Sequence, residues 1–541
     1  MENGVDSGMR ALPPGTVHLL HTNSHGAGTD EVILVPQPSK HPDDPLNWSK
    51  SRKTIHICLI YLYTFTCGYG GTATYSVLTD ISRDTNITLT QLNLGTGLIF
   101  LLAGWGNCFW QPLALTFGRR PVLFVGLLGC LIISEWTAWA DSFPAWTASR
   151  ILSGFFVGPC EVLPEIRIPD TYFAHERGAY VGIYSMVLQG SNFFAPFVSG
   201  FINDALGWQW VQHVCAIFFA LNLILAFFFQ EESMFERQTA EVDVDPPSNE
   251  EPRHSDTARV GNSPVIQTTI DTREPADDEK AMPTGIDNTR DDSTGETYTV
   301  KSYRQKLALY TCSGLTLEQC LRIAYRPIFI FFQFPCITWA GLQYGFTNAW
   351  YSVYNATASS IFSSQPYSYR ASMVGVTYLA PILGALIGGY VSGPVSDSFS
   401  MRLARRNKGF REPEHRLWGM SLTAIILPLG LLLWGIGAAF SLPIGVLMLE
   451  SVFCGFGIVT GGTYSITYSV DAFKEIAGES IVSLILCRNT LTFGFSYAIT
   501  PWIDGAGLQN TFIVVAIISF LTGIFPDHDL EREAAARIVG S

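Results

Sequence analysis

The chain has 541 residues, 48% hydrophobic and only 15% charged, with a mean hydropathy of +0.24, which excludes a soluble domain of ordinary surface chemistry. The formal charge of −13 points to no basic partner, because 18 Asp/Glu against 6 Lys/Arg, a net of −12, lie between residues 231 and 300. No basic stripe supports nucleic-acid binding, and the 11 cysteines, mostly inside apolar runs, lack metal-ligand spacing and read as small core residues.

Residues 1–53 are polar, with His41-Pro-Asp-Asp-Pro-Leu-Asn-Trp48 just before Lys50, Arg52 and Lys53. They lack a short apolar core behind a basic start, so no cleaved signal peptide is expected and the first span serves as its own insertion signal. About 20 apolar residues cross a bilayer core. On that measure the first half gives spans at 54–78, 91–115, 121–140, 146–166, 178–202 and 210–230. Residues 231–326 then interrupt the pattern. Rich in Pro, Ser, Thr and Gly, this stretch cannot bury enough apolar surface to offset its ordering entropy, and a disordered acidic tether is expected. Its last part, Thr316 to Arg326, regains helical periodicity and is expected along the membrane surface.

The second half repeats the count, with spans at 327–353, 371–395, 416–438, 442–468, 478–502 and 509–526, followed by a tail at 527–541. The last span has an uninterrupted apolar core only from Phe512 to Phe525, so a tilted or locally thinned end is expected there. The fold class is therefore an all-α membrane protein of twelve transmembrane helices in two six-helix halves, 54–230 and 327–526. Such parallel repeats, related by an axis along the membrane normal, rock about a site near the bilayer midplane.

Lysine and arginine in short loops are retained on the cytoplasmic side. With both termini inside, the inner loops hold Arg119, Arg120, Arg167, Arg177, Arg402, Arg405, Arg406, Lys408, Arg411 and Lys474, and the outer loops hold only Arg83 and Arg370. Two sequons, Asn86-Ile-Thr88 and Asn355-Ala-Thr357, fall in expected outer loops as candidate glycosylation sites.

Short motifs narrow the reading. Between spans 2 and 3, Gln111-Pro-Leu-Ala-Leu115-Thr116-Phe-Gly118-Arg119-Arg120 resembles the inner-loop signature of the major facilitator superfamily, a charged latch at the cytoplasmic gate. Leu115 and Thr116 occupy its Asp-Arg positions. The loop after span 8 supplies Gly393-Pro-Val-Ser-Asp397, then Arg402, Arg405 and Arg406, so Asp397 is expected to pair with Arg119 or Arg120, or with Arg405 and Arg406. Alternatively, these arginines only obey the positive-inside rule. Span 4 opens with Arg150-Ile-Leu-Ser-Gly154, which resembles the superfamily's proton-coupling motif. A charge within a span costs about 2.5–3.5 kcal/mol on insertion scales, so Arg150 needs a partner or water, unless it snorkels from about 7–8 Å below the outer end. Glu161 and Glu165, one turn apart, either guard access to a cavity or cap Arg167 and Arg177 at the surface. Span 5 contains Ser191, Ala195, Pro196, Ser199 and Gly200 at the positions of the antiporter signature of proton-driven exporters, with small residues for close packing and a Pro to bend the helix.

The whole chain resembles the fungal twelve-span drug:proton antiporter branch, which exports drugs, mycotoxins and polyamines. The resemblance rests on the His41–Trp48 string, Pro159-Cys-Glu-Val-Leu-Pro-Glu165, His175-Glu-Arg-Gly178 and Asn407-Lys-Gly-Phe-Arg-Glu-Pro-Glu-His-Arg416. The sugar-porter strings at the ends of spans 6 and 12 are absent. The resemblance implies a plasma-membrane monomer that exports an amphipathic small molecule against protons, with Arg150, Glu161 and Glu165 coupling protons. It also implies a cavity lined by Tyr69, Gln189, Asn192, Trp339, Gln343, Tyr344, Asn348, Tyr464 and Asn489. Polyamine export ranks second, since a cation needs a carboxylate from among Glu135, Glu161, Glu165 and Glu450. A non-transporting sensor on the same fold is a third reading. No nucleophile elbow, His-Glu-x-x-His or phosphate loop supports an enzyme, and no cofactor is implied.

Overall fold

The computed structural model describes residues 17–18, 39, 41–235, 289–291, 297–299, 303–308, 313–406, 410–411, 413–473 and 476–523. Most of the expected tether, Lys408, Lys474 and the tail 527–541 lie outside the described residues.

Twelve helical spans make up the bundle. Span 1 is Lys50–Thr72, prolonged by Leu78–Thr85; span 2 is Leu89–Phe117; span 3 is Arg119–Ala138; span 4 joins Phe143–Val157 to Pro159–Thr171; span 5 is Ala174–Leu206; span 6 is Trp208–Phe229. Span 7 is Pro335–Ser363; span 8 runs through Ala371–Thr377, Leu379–Tyr390 and Ser396–Arg406; span 9 is Met420–Ala439; span 10 is Ile444–Ala472; span 11 is Ala477–Ala506; span 12 is Leu508–Thr522. Seven helices are long and apolar enough to cross a bilayer on length and composition alone, or eight with one bent pair; the remainder are spans 1, 4, 5 and the short span 12. The end of the bundle where spans 6 and 7 are joined is called the linker face below, and the opposite end the far face.

Span 7 departs from expectation. A helix opened by a capping box of Thr316 and Gln319 continues from Leu317 to Gln333, and meets Pro335–Ser363 at a 98° bend. Pro335 sits at the first turn of the new helix, where its missing N–H costs nothing, so the break falls there rather than at Arg326. Span 7 therefore starts and ends later than 327–353. Four short strands also form: Val17–His18 pairs with Phe410–Arg411, and Thr289–Asp291 with Thr297–Thr299 inside the expected tether. Such local pairing needs no buried core, so composition could not reveal it.

Spans 5 and 6 are linked by a single residue, Gly207, and spans 11 and 12 by Gly507, with φ of 93° and 80°. A side chain is strained in that conformation, so glycine at matching places in both halves makes the tight reversals. Each half has its own core: Trp110, Trp146, Trp208 and Phe219 in the first, and Trp350, Trp434, Phe512 and Tyr354 in the second. The outside stays apolar, with Leu221, Ile224, Phe228, Ile132 and Leu429 about half exposed. That surface is what lipid covers.

The halves meet where side chains are small. Between spans 2 and 11, a Cβ on Gly97 would lie 3.0 Å from Ser496 Cβ, and one on Gly104 would lie 2.6 Å from Asn489 Cβ. Between spans 5 and 8, a Cβ on Gly375 would lie 2.8 Å from the Pro196 carbonyl oxygen, and one on Gly200 would lie 3.0 Å from Ser372 Cα. Ala195, Pro196 and Gly200 thus sit at or beside a seam between the halves, while Ser191 packs against Gly68 of span 1 and Ser199 faces Tyr69. Pro196 does not break its helix.

Candidate functional site

Glu161 of span 4, half-buried, and Arg488 of span 11, buried, form an ion pair between the halves. Each stands about 15 Å from the linker-face end of its helix at 1.5 Å per residue, close to half the depth of a bilayer core. Arg488 uses its fork fully. Besides Glu161 it donates to Tyr344 Oη at 2.7 Å and to Asn489 Oδ1 at 2.9 and 3.1 Å, and its guanidinium carbon lies 5.0 Å from the Tyr344 ring centre. Asn489 Nδ2 donates to the second Glu161 oxygen at 3.1 Å, and Tyr184 of span 5 donates to the Glu161 carbonyl at 3.3 Å. Spans 4, 5, 7 and 11 therefore meet around this pair, with span 11 alone among the described residues bonding the carboxylate itself. Glu165 stands one turn further toward the linker face, half-buried.

The pair is set on a polar ladder between spans 7 and 11. Tyr344 meets Arg488, Asn348 Nδ2 donates to Thr492 Oγ1 at 2.9 Å, and Ser352 and Ser496 share a bond of 2.5 Å. The rungs recur every four residues because i and i+4 share a helix face. Below it, toward the linker face, Val162 and Ile166 pack on Val482, Ile485 and Leu486. Above it, Tyr351 donates to the Asn192 carbonyl at 3.3 Å and packs edge-on to Phe193 at 5.1 Å. Gln189 accepts from Asn192 at 3.4 Å on the same face of span 5.

Of the expected cavity residues, the structure gathers Tyr344, Asn348 and Asn489 with Glu161, and brings Asn192 to the same seam. Gln189 stays beside Asn192, and the other four lie elsewhere. Tyr69 is fully buried inside the first half, edge-on to Phe218 at 5.1 Å. Gln343 turns away from the seam and donates to the Thr522 carbonyl of span 12. Trp339 stacks edge-on to Tyr468 at 5.8 Å, and Tyr464 lies under Gly419 near the linker face. Arg488 was missed, although an arginine inside the apolar run Ile485-Leu-Cys-Arg488 is the same signal that marked Arg150.

Arg150 is 2% exposed, so it does not snorkel; its guanidinium lies 4.0 Å from the Trp146 ring centre, and Nε and Nη2 lack hydrogen-bond partners. Spans 4 and 2 approach closely behind it: a Cβ on Gly154 would lie 2.8 Å from Ile99 Cα, and one on Gly158 would lie 2.9 Å from the Ala103 carbonyl. Glu161 is not a surface cap of Arg167 or Arg177. Arg177 donates to the Pro169 and Tyr172 carbonyls, and Arg167 is fully buried.

The expected pairing of Asp397 is also corrected. Its partner is Arg416 at 2.5 Å, which reaches Asp471 at 3.5 Å, whereas Arg405 and Arg406 are exposed. Arg119 instead pairs with Asp170 at 3.2 Å, and the backbone N–H groups of Arg119 and Arg120 donate to Glu232 at 3.1 and 2.8 Å. Arg120 caps the Phe227 carbonyl at 2.7 Å. Each half thus carries an ion pair between the start of its third helix and the end of its fourth. Gly118, at φ 101°, makes the first turn possible, but a Cβ on Gly393 would meet nothing within 4 Å, so no close approach requires that glycine. Arg416→Ala is expected to shift cysteine accessibility between the two faces only a few-fold, because Asp397 is 60% exposed and such pairs contribute about 0.2–1 kcal/mol.

The His41–Trp48 string packs onto the linker face. Asp44 is buried and accepts from the Leu46 and Ser39 N–H groups, Lys306 pairs with Asp43 at 3.4 Å, and Arg52 lies 4.1 Å from the Trp48 ring centre and pairs with Glu231. Of the sequons, Asn86 is exposed at a turn with φ 58°, but Asn355 is 1% exposed inside span 7 and is withdrawn as a glycosylation site. A glycosidase-sensitive mobility shift is expected to vanish in Asn86→Gln and persist in Asn355→Gln.

Two six-helix halves, joined through small residues and bridged at mid-depth by an ion pair, define a twelve-helix membrane transporter rather than an enzyme. The chain belongs to the Major Facilitator Superfamily, whose sequence model matches residues 60–489. It is 28% identical to an uncharacterised MFS-type transporter of Schizosaccharomyces pombe, over 94% of this chain and 90% of that protein. It is 29% identical to protein HOL1 of Saccharomyces cerevisiae, over 90% and 87% respectively. Among solved structures, a proton:xylose symporter, XylE, shares the fold with a TM-score of 0.56 at 12% identity, covering 88% of this chain and 95% of that one.

Proposed function

We propose that this transporter is a plasma-membrane exporter of amphipathic organic molecules, driven by antiport of protons, with the linker face in the cytoplasm. The observation that carries the reading is the Glu161–Arg488 pair, held with Tyr344 and Asn489 between the halves. A proton on Glu161 cancels its charge and releases Arg488, and a substrate group that binds either partner competes for the same bond. Mutual exclusion at one carboxylate is the physical content of antiport. Opening toward the cytoplasm requires Val162 and Ile166 to leave Val482 and Leu486, so the pair and this apolar seal part together. The rings and amides around it suit a flat apolar solute held by area and oriented by few polar groups.

A second reading, export of a polyamine or other organic cation, is favoured by Glu165. Arg488 neutralises Glu161, which leaves Glu165 one turn away as a carboxylate for a cationic guest. The two are separated by comparing efflux of a neutral aromatic toxin with that of spermidine from cells expressing the protein. Toxin efflux is expected, reduced at least tenfold in Glu161→Gln. Spermidine efflux lost in Glu165→Gln, with no toxin efflux, reverses the order.

A further inference from the structure

The second half holds a buried carboxylate that the site above does not use. Glu450 stands six residues into span 10 from the far face and is 1% exposed. Its Oε1 has no hydrogen-bond partner, and its Oε2 lies 3.4 Å from Ser451 Oγ, beyond the range of a good bond. No ion pair among the described residues includes it. The groups packed around it come from spans 7, 8 and 9 and from span 10 itself. Span 7 contributes Tyr354, whose hydroxyl is 3.2 Å from Ser451 Oγ; span 8 contributes Tyr378, 5.7 Å from the Tyr354 ring; Cys454 follows one turn along span 10. Span 9 contributes Gly430 and Trp434, and the Trp434 indole N–H is already donated to Thr357 at 3.0 Å. None of these can carry a positive charge. A carboxylate this buried is costly to ionise without a counter-ion among the described residues, whereas a protonated one gains a donor that the nearby hydroxyls can accept.

We propose that Glu450 is a proton-carrying site, loaded from the far face when the seam between spans 1 and 7 opens. Tyr354 and Tyr351 on span 7 pack with Tyr75 at the end of span 1, and further out Thr79 bonds Ser359 and Ser363 at 3.2 and 3.3 Å. These contacts part when the halves separate on that side, which lets one proton pass from water to the Glu450 carboxylate. The same proton leaves after the seam has closed and the opposite side has opened. The first half carries the counterpart. Arg150 stands seven residues into span 4 from the same face, unbonded at Nε and Nη2, so a cation and a titratable acid occupy matching depths in the two halves.

The proposal deepens the antiport reading and rests on it, but its test reads the carboxyl itself and not transport. Infrared difference spectra are recorded on the purified full chain in lipid, acid minus alkaline medium. A protonated-carboxyl stretch that grows with acid and shifts in heavy water is expected, lost in Glu450→Gln and kept in Glu161→Gln. Spectra of Glu450→Gln that superimpose on the parent overturn the proposal, as does a band that no change of medium alters. Should Glu450→Gln fail to fold, Ser451→Ala removes the nearest hydroxyl and is expected to move the band, and an unmoved band overturns the proposal equally. Loss of protonophore-sensitive transport together with an intact Glu450 band would instead count against antiport and leave this site standing.

Discussion

Arg488→Ala is expected to abolish energised efflux while the protein still reaches the membrane. The substitution strips Glu161 of its cation and Tyr344 of a donor. Removing one partner of a buried pair costs about 3–5 kcal/mol. At about 1.4 kcal/mol per tenfold, this shifts the balance between closed and open linker face by a factor of about a hundred to four thousand. Arg488→Lys keeps charge but loses the planar fork that joins three partners, so an intermediate defect is expected. Exchanging the two residues, Glu161→Arg with Arg488→Glu, is expected to restore part of the loss. Efflux rates, with thiol labelling of a cysteine placed at Val482, measure both effects; unchanged efflux and labelling in Arg488→Ala would remove the pair from the account.

The second large effect is expected at the seam between spans 5 and 8. In Gly375→Val the new Cβ would sit 2.8 Å from the Pro196 carbonyl oxygen and 2.9 Å from that of Phe197. Both are backbone atoms of a continuous helix, so they cannot swing aside as a side-chain tip does. Overpacking of this kind costs about 1–3 kcal/mol, and here it falls on the surface where the halves slide. Transport is expected to drop at least tenfold with a lower melting temperature. Gly389→Val on the same span is the control, because a Cβ there meets nothing within 4 Å. Equal behaviour of the two variants would mean that close backbone approach is not what the small residues provide.

Much of the fold was legible because hydropathy and loop charge follow directly from what a bilayer demands. Boundaries were less so: Ile328 to Phe332 is apolar enough to read as membrane, yet only the bend at Pro335 shows that these residues belong to a separate helix. That shift carried Asn355 from an expected loop into the core. At the site, Glu161, Tyr344 and Asn489 were legible as polar groups on spans that line a cavity. Their common partner was not, because Arg488 sits 327 residues from Glu161 and no local spacing links them. Gln343 and Tyr69 show the converse: a polar residue on the right span still has to face the right way, and helix rotation is set by packing that a single sequence does not display. Asp397 was expected to pair with an arginine of its own loop or of the loop after span 2, but its partner, Arg416, lies across a loop at the start of the next span.

Inside-out membrane vesicles test the central claim most directly. With the linker face outward and the lumen acidified, a fluorescent amphipathic dye is expected to accumulate in the lumen against its gradient. A protonophore should collapse that accumulation, and it should be absent in Arg488→Ala. Accumulation that survives the protonophore would contradict proton antiport, and no accumulation of dye, toxin or spermidine in vesicles that hold folded protein would contradict transport itself and favour a sensor.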